Sequence, residues 1–86
     1  MATVRELRIH RLWSQSELAR RSGVALRTIV NLETGARLPR LLTMRRIAEA
    51  LEVEWTEVDE FRRAVEDLEK KVAAQSDLGG VAQPVR

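Results

Sequence analysis

Apolar residues recur along this chain at spacings of three and four, not in the strict alternation of a half-buried strand. Read from the N-terminus, the pattern predicts five helices. Helix 1 covers about residues 4–12, with Val4, Leu7 and the stem of Arg11 turned inward. Helix 2 opens at Ser14, where Ser-x-x-Glu with Glu17 has the form of a capping box. Trp13 before that cap and Leu18 inside the helix have the spacing of a hydrophobic staple. Gly23 ends the helix, because the residue after a helix often turns left-handed and glycine does so without strain. Helix 3 spans residues 26–33 and is stopped in the same way by Gly35; Ile29 and Leu32 face inward, Arg27, Val30 and Asn31 outward. After the loop 36–39, helix 4 covers residues 41–51, with Met44, Ile47, Ala48 and Leu51 as its inner stripe. Thr56 with Asp59 suggests the cap of helix 5, which runs to about Gln75. Residues 76–86, with Gly79, Gly80 and Pro84 and little apolar content, read as a flexible tail.

Between helices 2 and 3 the positions follow a mechanical rule. Two short helices crossing steeply need a small residue at the contact, and Ala19 is there; the tight turn between them needs a glycine, and Gly23 supplies it. Leu18, Val24, Ile29 and Leu32 lock the second helix onto the first and leave its outer face free. Together they make a helix-turn-helix over about residues 14–34.

Composition narrows the function. Eighty-six residues hold one domain with a modest core, burying about 60% of the unfolded chain's surface. The absence of cysteine excludes disulfides, zinc–thiolate sites and thiol catalysis. Arg5, Arg8 and Arg11 break every apolar stretch near the start, and no apolar run approaches the roughly 20 residues that span a bilayer. A cytoplasmic protein without a membrane segment is expected. The net charge of +2 is split: residues 1–50 carry ten Arg and four Glu (+6), residues 51–86 five Lys or Arg and nine Asp or Glu (−4). A basic half facing a polyanion, with the acidic half turned away, fits that split. The lone histidine, His10, sits among arginines, and no glycine-rich phosphate loop or metal-ligand spacing is present. No catalytic residue, metal or cofactor is assigned, and an enzyme is not expected.

The motif Gln15-x-x-Leu18-Ala19-x-x-x-Gly23-Val24-x-x-x-x-Ile29-x-x-Leu32-Glu33-x-Gly35-x-x-x-Pro39, with Leu7-Arg8 before it and Ile47-Ala48-Glu-Ala50-Leu51 after it, resembles the Cro- and phage-repressor-type helix-turn-helix regulators, the xenobiotic-response-element (XRE) family. The likeness covers about residues 4–58. It implies an all-α, five-helix bundle of the phage-repressor DNA-binding type with an extended C-terminal helix. Residues 1–56 are then the DNA-binding domain, 57–75 a C-terminal helix suited to dimerisation, and 76–86 the tail. The implied partner is double-stranded DNA, bound by a homodimer whose half-sites lie about 34–36 Å apart. Leu26, Arg27, Val30 and Asn31 fall at base-reading positions of helix 3. Arg27 suits guanine O6 and N7, and Asn31 suits adenine N6 and N7. Gln15, Thr28, Thr34, Arg37 and Arg40 match or neighbour backbone-contact positions, which set register rather than sequence. Arg8 and Glu33 match a structural ion pair.

The chain departs from the pattern at two helix starts, where Ala25 and Arg40 stand in place of the usual Ser or Thr cap. Leu26 has two readings, contact with a thymine methyl group or folding back on the core. Leu38, Leu41 and Leu42 form an apolar cluster beside the helix 3–4 loop, a region that often lies at the family's dimer interface; core packing is preferred for Leu41. In helix 5, Val58, Phe61, Val65, Leu68 and Val72 make a heptad seam. Val58 and Phe61 belong to the core, whereas Val65, Leu68 and Val72 either pair with a second subunit, the preferred reading, or wrap on their own domain. Arg62–Glu66, Glu66–Lys70 and Asp67–Lys71 are spaced to support its exposed face. Two functions remain open. One is a sequence-specific regulator, by default a repressor, reading the major groove with helix 3. The other is a protein-interaction module on the same fold, such as an antitoxin or a bridging cofactor, as apolar Leu26 and Val30 and the acidic helix 5 would suit. With no room for a separate ligand domain, control is expected through dimerisation, a partner protein or proteolysis.

Overall fold

The computed structural model describes residues 2–79, and the side-chain surroundings of residues 2–73. Five α-helices follow one another: α1 Val4–His10, α2 Gln15–Ser22, α3 Leu26–Thr34, α4 Leu41–Leu51 and α5 Asp59–Gly79, with a 3₁₀ turn, Trp55–Glu57, before the last. The core gathers the inward stripe of each helix. Val4, Leu18, Ile29, Ile47, Leu51, Val58 and Phe61 are fully buried, and Leu7, Trp13, Ala19 and Val65 pack around them. α2 lies at the centre, against both α3 and α4. α5 spans 21 residues, about 32 Å at 1.5 Å per residue, and extends the molecule to 48 Å along one axis against 22 and 21 Å across it.

The helix ends differ from the sequence expectation, each for a local reason. α1 stops at His10 rather than at Leu12, because Leu12 turns left-handed (φ 61°) to start the link to α2. Thr3 and Glu6 form a reciprocal capping box that the apolar pattern did not point to. At α2 only half of the expected box exists. Ser14 Oγ accepts from the Glu17 N–H at 3.0 Å, but the Glu17 carboxylate binds Arg20 and Arg21 one turn on instead of returning to the cap. Trp13 packs against the core, and Arg21 covers its ring at 4.4 Å. Gly23 and Gly35 end α2 and α3 in the left-handed conformation, as expected, and neither Ala25 nor Arg40 makes a side-chain cap.

Thr56 does not cap α5. It sits inside the 3₁₀ turn, and α5 begins three residues later. The reason is a pairing between distant parts of the chain. Ala2 bridges Val58 in parallel, donating to the Glu57 carbonyl (3.0 Å) and accepting from the Asp59 N–H (2.8 Å). Glu60 then accepts from the Val4 N–H at 3.0 Å, so α5 supplies an acceptor to the first turn of α1. Arg11 closes the opposite side, donating to the carbonyls of Leu7 (2.9 Å) and Leu51 (2.6 Å) and placing a cation at the C-terminal ends of α1 and α4. α5 also continues past Gln75 to Gly79; residues 80–86 of the expected tail lie outside the described residues.

Candidate nucleic-acid interface

The geometry of α3 is set by what lies beneath it. Ile29 and Leu32 are buried against α2, and Val24 fills the turn between the helices. The turn is closed by Ser22, a buried hydroxyl that donates to the Leu18 carbonyl (2.7 Å) and accepts from the Val24 N–H (3.3 Å). With that side fixed, the outer face of α3 carries Leu26, Arg27, Thr28, Val30, Asn31 and Thr34. Leu26 is 45% exposed, so it does not fold back into the core.

The remaining expected residues fall into two groups flanking this face. Arg27, Thr28 and Asn31 share a depression of about 380 Å³ with Arg37 and Arg40 from the α3–α4 loop, and with Thr43. Gln15 and Thr34 line a second depression of about 440 Å³, with Arg5 and Ser14, at the N-terminal end of α2. Leu26 and Val30 line neither. Sequence reasoning missed Arg5 and Thr43. Arg5 was within reach, since it precedes Arg8 by one helical turn and therefore shares its face. Thr43 had no such marker.

Behind the second depression is the Arg8–Glu33 pair. Arg8 Nε and Nη2 meet the two Glu33 carboxylate oxygens at 2.7 and 2.9 Å, and the side chains are 10% and 4% exposed. Arg8 Nη1 also donates to the Trp13 carbonyl at 2.8 Å, and Gln15 Nε2 to Glu33 Oε1 at 3.1 Å. One cluster therefore ties α1, the start of α2 and the end of α3 together. Burial pushes the Glu33 carboxyl up, but the bonds from Arg8 and Gln15 and the charges of Arg8 and Arg5 outweigh it and hold it below the usual range. Glu33 is occupied inside the protein, in keeping with the structural role implied for it. Gln15 is partly engaged there too, with one amide hydrogen given to Glu33.

Two apolar expectations resolve differently. Leu41 was placed in the core and is 59% exposed, because α4 buries Met44, Ile47, Ala48 and Leu51 and those positions leave Leu41 at the open edge of the first turn; Leu38 and Leu42 are exposed beside it. Val58 just before α5, and Phe61 and Ala64 on it, are buried and Val65 is packed against the same core, while Leu68 and Val72 are exposed. Of the expected i, i+4 pairs on that helix, Asp67–Lys71 closes to 3.6 Å. Among the described residues no group of three or more His, Cys, Asp or Glu is arranged to hold a metal ion, and no helix is long and apolar enough to cross a membrane.

No curated protein and no solved structure matches the chain. A family model does: that of the helix-turn-helix proteins matches residues 4–58, the stretch from the first buried residue of α1 to the last core residue before α5. With the helix pair, the left-handed glycines and the exposed α3 face in place, the chain belongs to the Cro- and phage-repressor-type (XRE) family of DNA-binding helix-turn-helix regulators.

Proposed function

We propose that this protein is a transcriptional repressor that binds its operator as a homodimer, in the cytoplasm, with α3 of each subunit in the major groove. The observation that carries the reading is the depression where Arg27, Thr28 and Asn31 of α3 meet Arg37 and Arg40 of the following loop. Base-edge and phosphate chemistry lie side by side there. Arg27 reads guanine through a bidentate guanidinium contact and Asn31 reads adenine, while exposed Leu26 and half-buried Val30 meet thymine methyl groups. Thr28, Arg37 and Arg40 hold phosphates on one side of α3, and Thr34 and Gln15 do so on the other, by the start of α2, where helix N–H groups favour an anion. A domain of this size represses by occupying the operator. The dimer forms through the exposed end of α5, by Leu68 and Val72, with Val65 contributing only the part its own core leaves uncovered.

The test is selection of bound duplexes from a randomised DNA pool. Enrichment of an inverted repeat with half-sites one helical turn apart is expected, and Arg27→Ala should relax one position in each half-site, at about 1–3 kcal/mol. No enrichment at low salt would overturn the reading.

A further inference from the structure

A concavity larger than either of the depressions beside α3 lies on another face. A groove of about 870 Å³ runs between α4, the 3₁₀ turn and α5, and its apolar wall is made by Leu41, Met44, Ala48, Val53, Trp55 and Val65. Leu41 and Trp55 are both exposed at its mouth. Its charged rim is one-sided: Glu49, Glu52, Glu54 and Glu57 against the single cation Arg45. The residues along it from Leu41 of α4 to Glu52, the cap that ends that helix, follow one stripe over three turns, about 16 Å.

We propose that this groove is the docking site for an amphipathic helix of a partner protein, one whose apolar stripe is flanked by Lys and Arg. Length and charge together select that occupant. An apolar channel as long as α4 matches a parallel helix laid with its i, i+3, i+4 and i+7 side chains in the channel. The rim attracts basic flanks and repels acidic ones. A second copy of this chain does not suit it. Two-fold association through the groove would set the same four glutamates against each other. DNA is excluded by the same rim. The groove is thus separate from the α3 interface, and nothing in the proposal depends on operator binding or on the α5 dimer.

Fluorescence anisotropy with a labelled synthetic helix of about four turns tests it, using leucines at i, i+3, i+4 spacing flanked by lysine, and the same helix flanked by glutamate. The lysine helix should bind the intact protein at least about tenfold more tightly than the glutamate helix, weaken with added salt, and change the emission of Trp55. Glu49→Lys with Glu52→Lys, and separately Trp55→Ser, should each remove about tenfold or more of that affinity. The control Glu66→Gln with Glu69→Gln, away from the groove, should leave it unchanged. Equal binding of both helices, equal loss in the control, or retention by both groove variants would overturn the proposal. So would a fall in oligomeric state caused by the groove variants, which would make this face a contact between copies.

Discussion

Glu33 has 4% of its side chain exposed and receives three hydrogen bonds, two from Arg8 and one from Gln15. A buried ion pair is weak evidence of net stabilisation, since both ions have lost their water. Breaking it is a different matter, because the survivor is left buried and uncompensated. Glu33→Ala should therefore cost about 3–5 kcal/mol, a large share of the total for a domain of this size. The loss should appear in the thermal melt before it appears in the specificity of DNA binding. The pair also makes stability depend on pH. The folded carboxyl binds its proton less readily than the ordinary value of 4.5, so in acid the unfolded chain takes up the proton first. The contribution of Glu33 is present above about pH 4.5 and is lost as the pH falls through the folded value. Glu33→Gln should accordingly melt well below wild type at pH 7, and the gap should narrow as the pH falls below about 4.5. A gap that does not narrow on acidification would mean that the charge contributes nothing.

Elements set by their own residues were legible in the sequence, and elements set by distant partners were not. The α2–turn–α3 unit could be read because Ser14, Ala19, Gly23, Ile29 and Leu32 each act within a few residues of their position. The inner stripe of α4 followed from its period. The start of α5 did not, because it depends on Ala2 pairing across 56 residues of sequence to Val58, and no local signal marks that. Likewise the anchoring of Arg11 on Leu51, and of Glu60 on the Val4 N–H, unites residues that share no pattern. At the site, the outward residues of α3 could be named from the helix period, whereas Arg5 and Thr43 enter only through tertiary packing. Leu41 was misplaced because being apolar beside a stripe does not put a residue in it. The turn between α1 and α2 carries a conflict of its own. Leu12 is left-handed and 93% exposed, so it bears backbone strain without burying apolar surface in return. A non-glycine residue in that conformation costs roughly 1–2 kcal/mol, and Asn tolerates it better. Leu12→Asn should therefore stabilise the fold by about 1 kcal/mol and raise the melting temperature by about 4–8 °C. A lowered melt would show that Leu12 makes a contact worth more than the strain.

On the scale of the whole molecule, polarity follows shape. The basic residues gather around α3 and its loop, whereas the glutamates of the groove between α4 and α5 lie on another face. The core closes at Val58, Phe61 and Ala64, with Val65 packed at its edge, yet the helix continues to Gly79. Leu68, which shares a shallow concavity with Leu38 and Leu41 of its own chain, and Val72 extend the same heptad seam but stay partly uncovered. In the dimer proposed above, that end of the helix gains burial from a second copy, and the dimer doubles the number of α3 helices presented to DNA. These consequences are linked and can be separated. Leu68 keeps 39% of its surface exposed, so Leu68→Asp should lower the thermal melt of the dilute protein only modestly, while light scattering should report a monomer. Affinity for an operator with two half-sites should then fall by about 100-fold or more, because the second contact is no longer tethered to the first. Affinity for an isolated half-site should stay the same, since α3 and the Arg8–Glu33 cluster that supports it are untouched. A Leu68→Asp protein that remains dimeric would place the subunit contact elsewhere. The exposed trio Leu38, Leu41 and Leu42 beside the recognition helix would then be the next surface to alter.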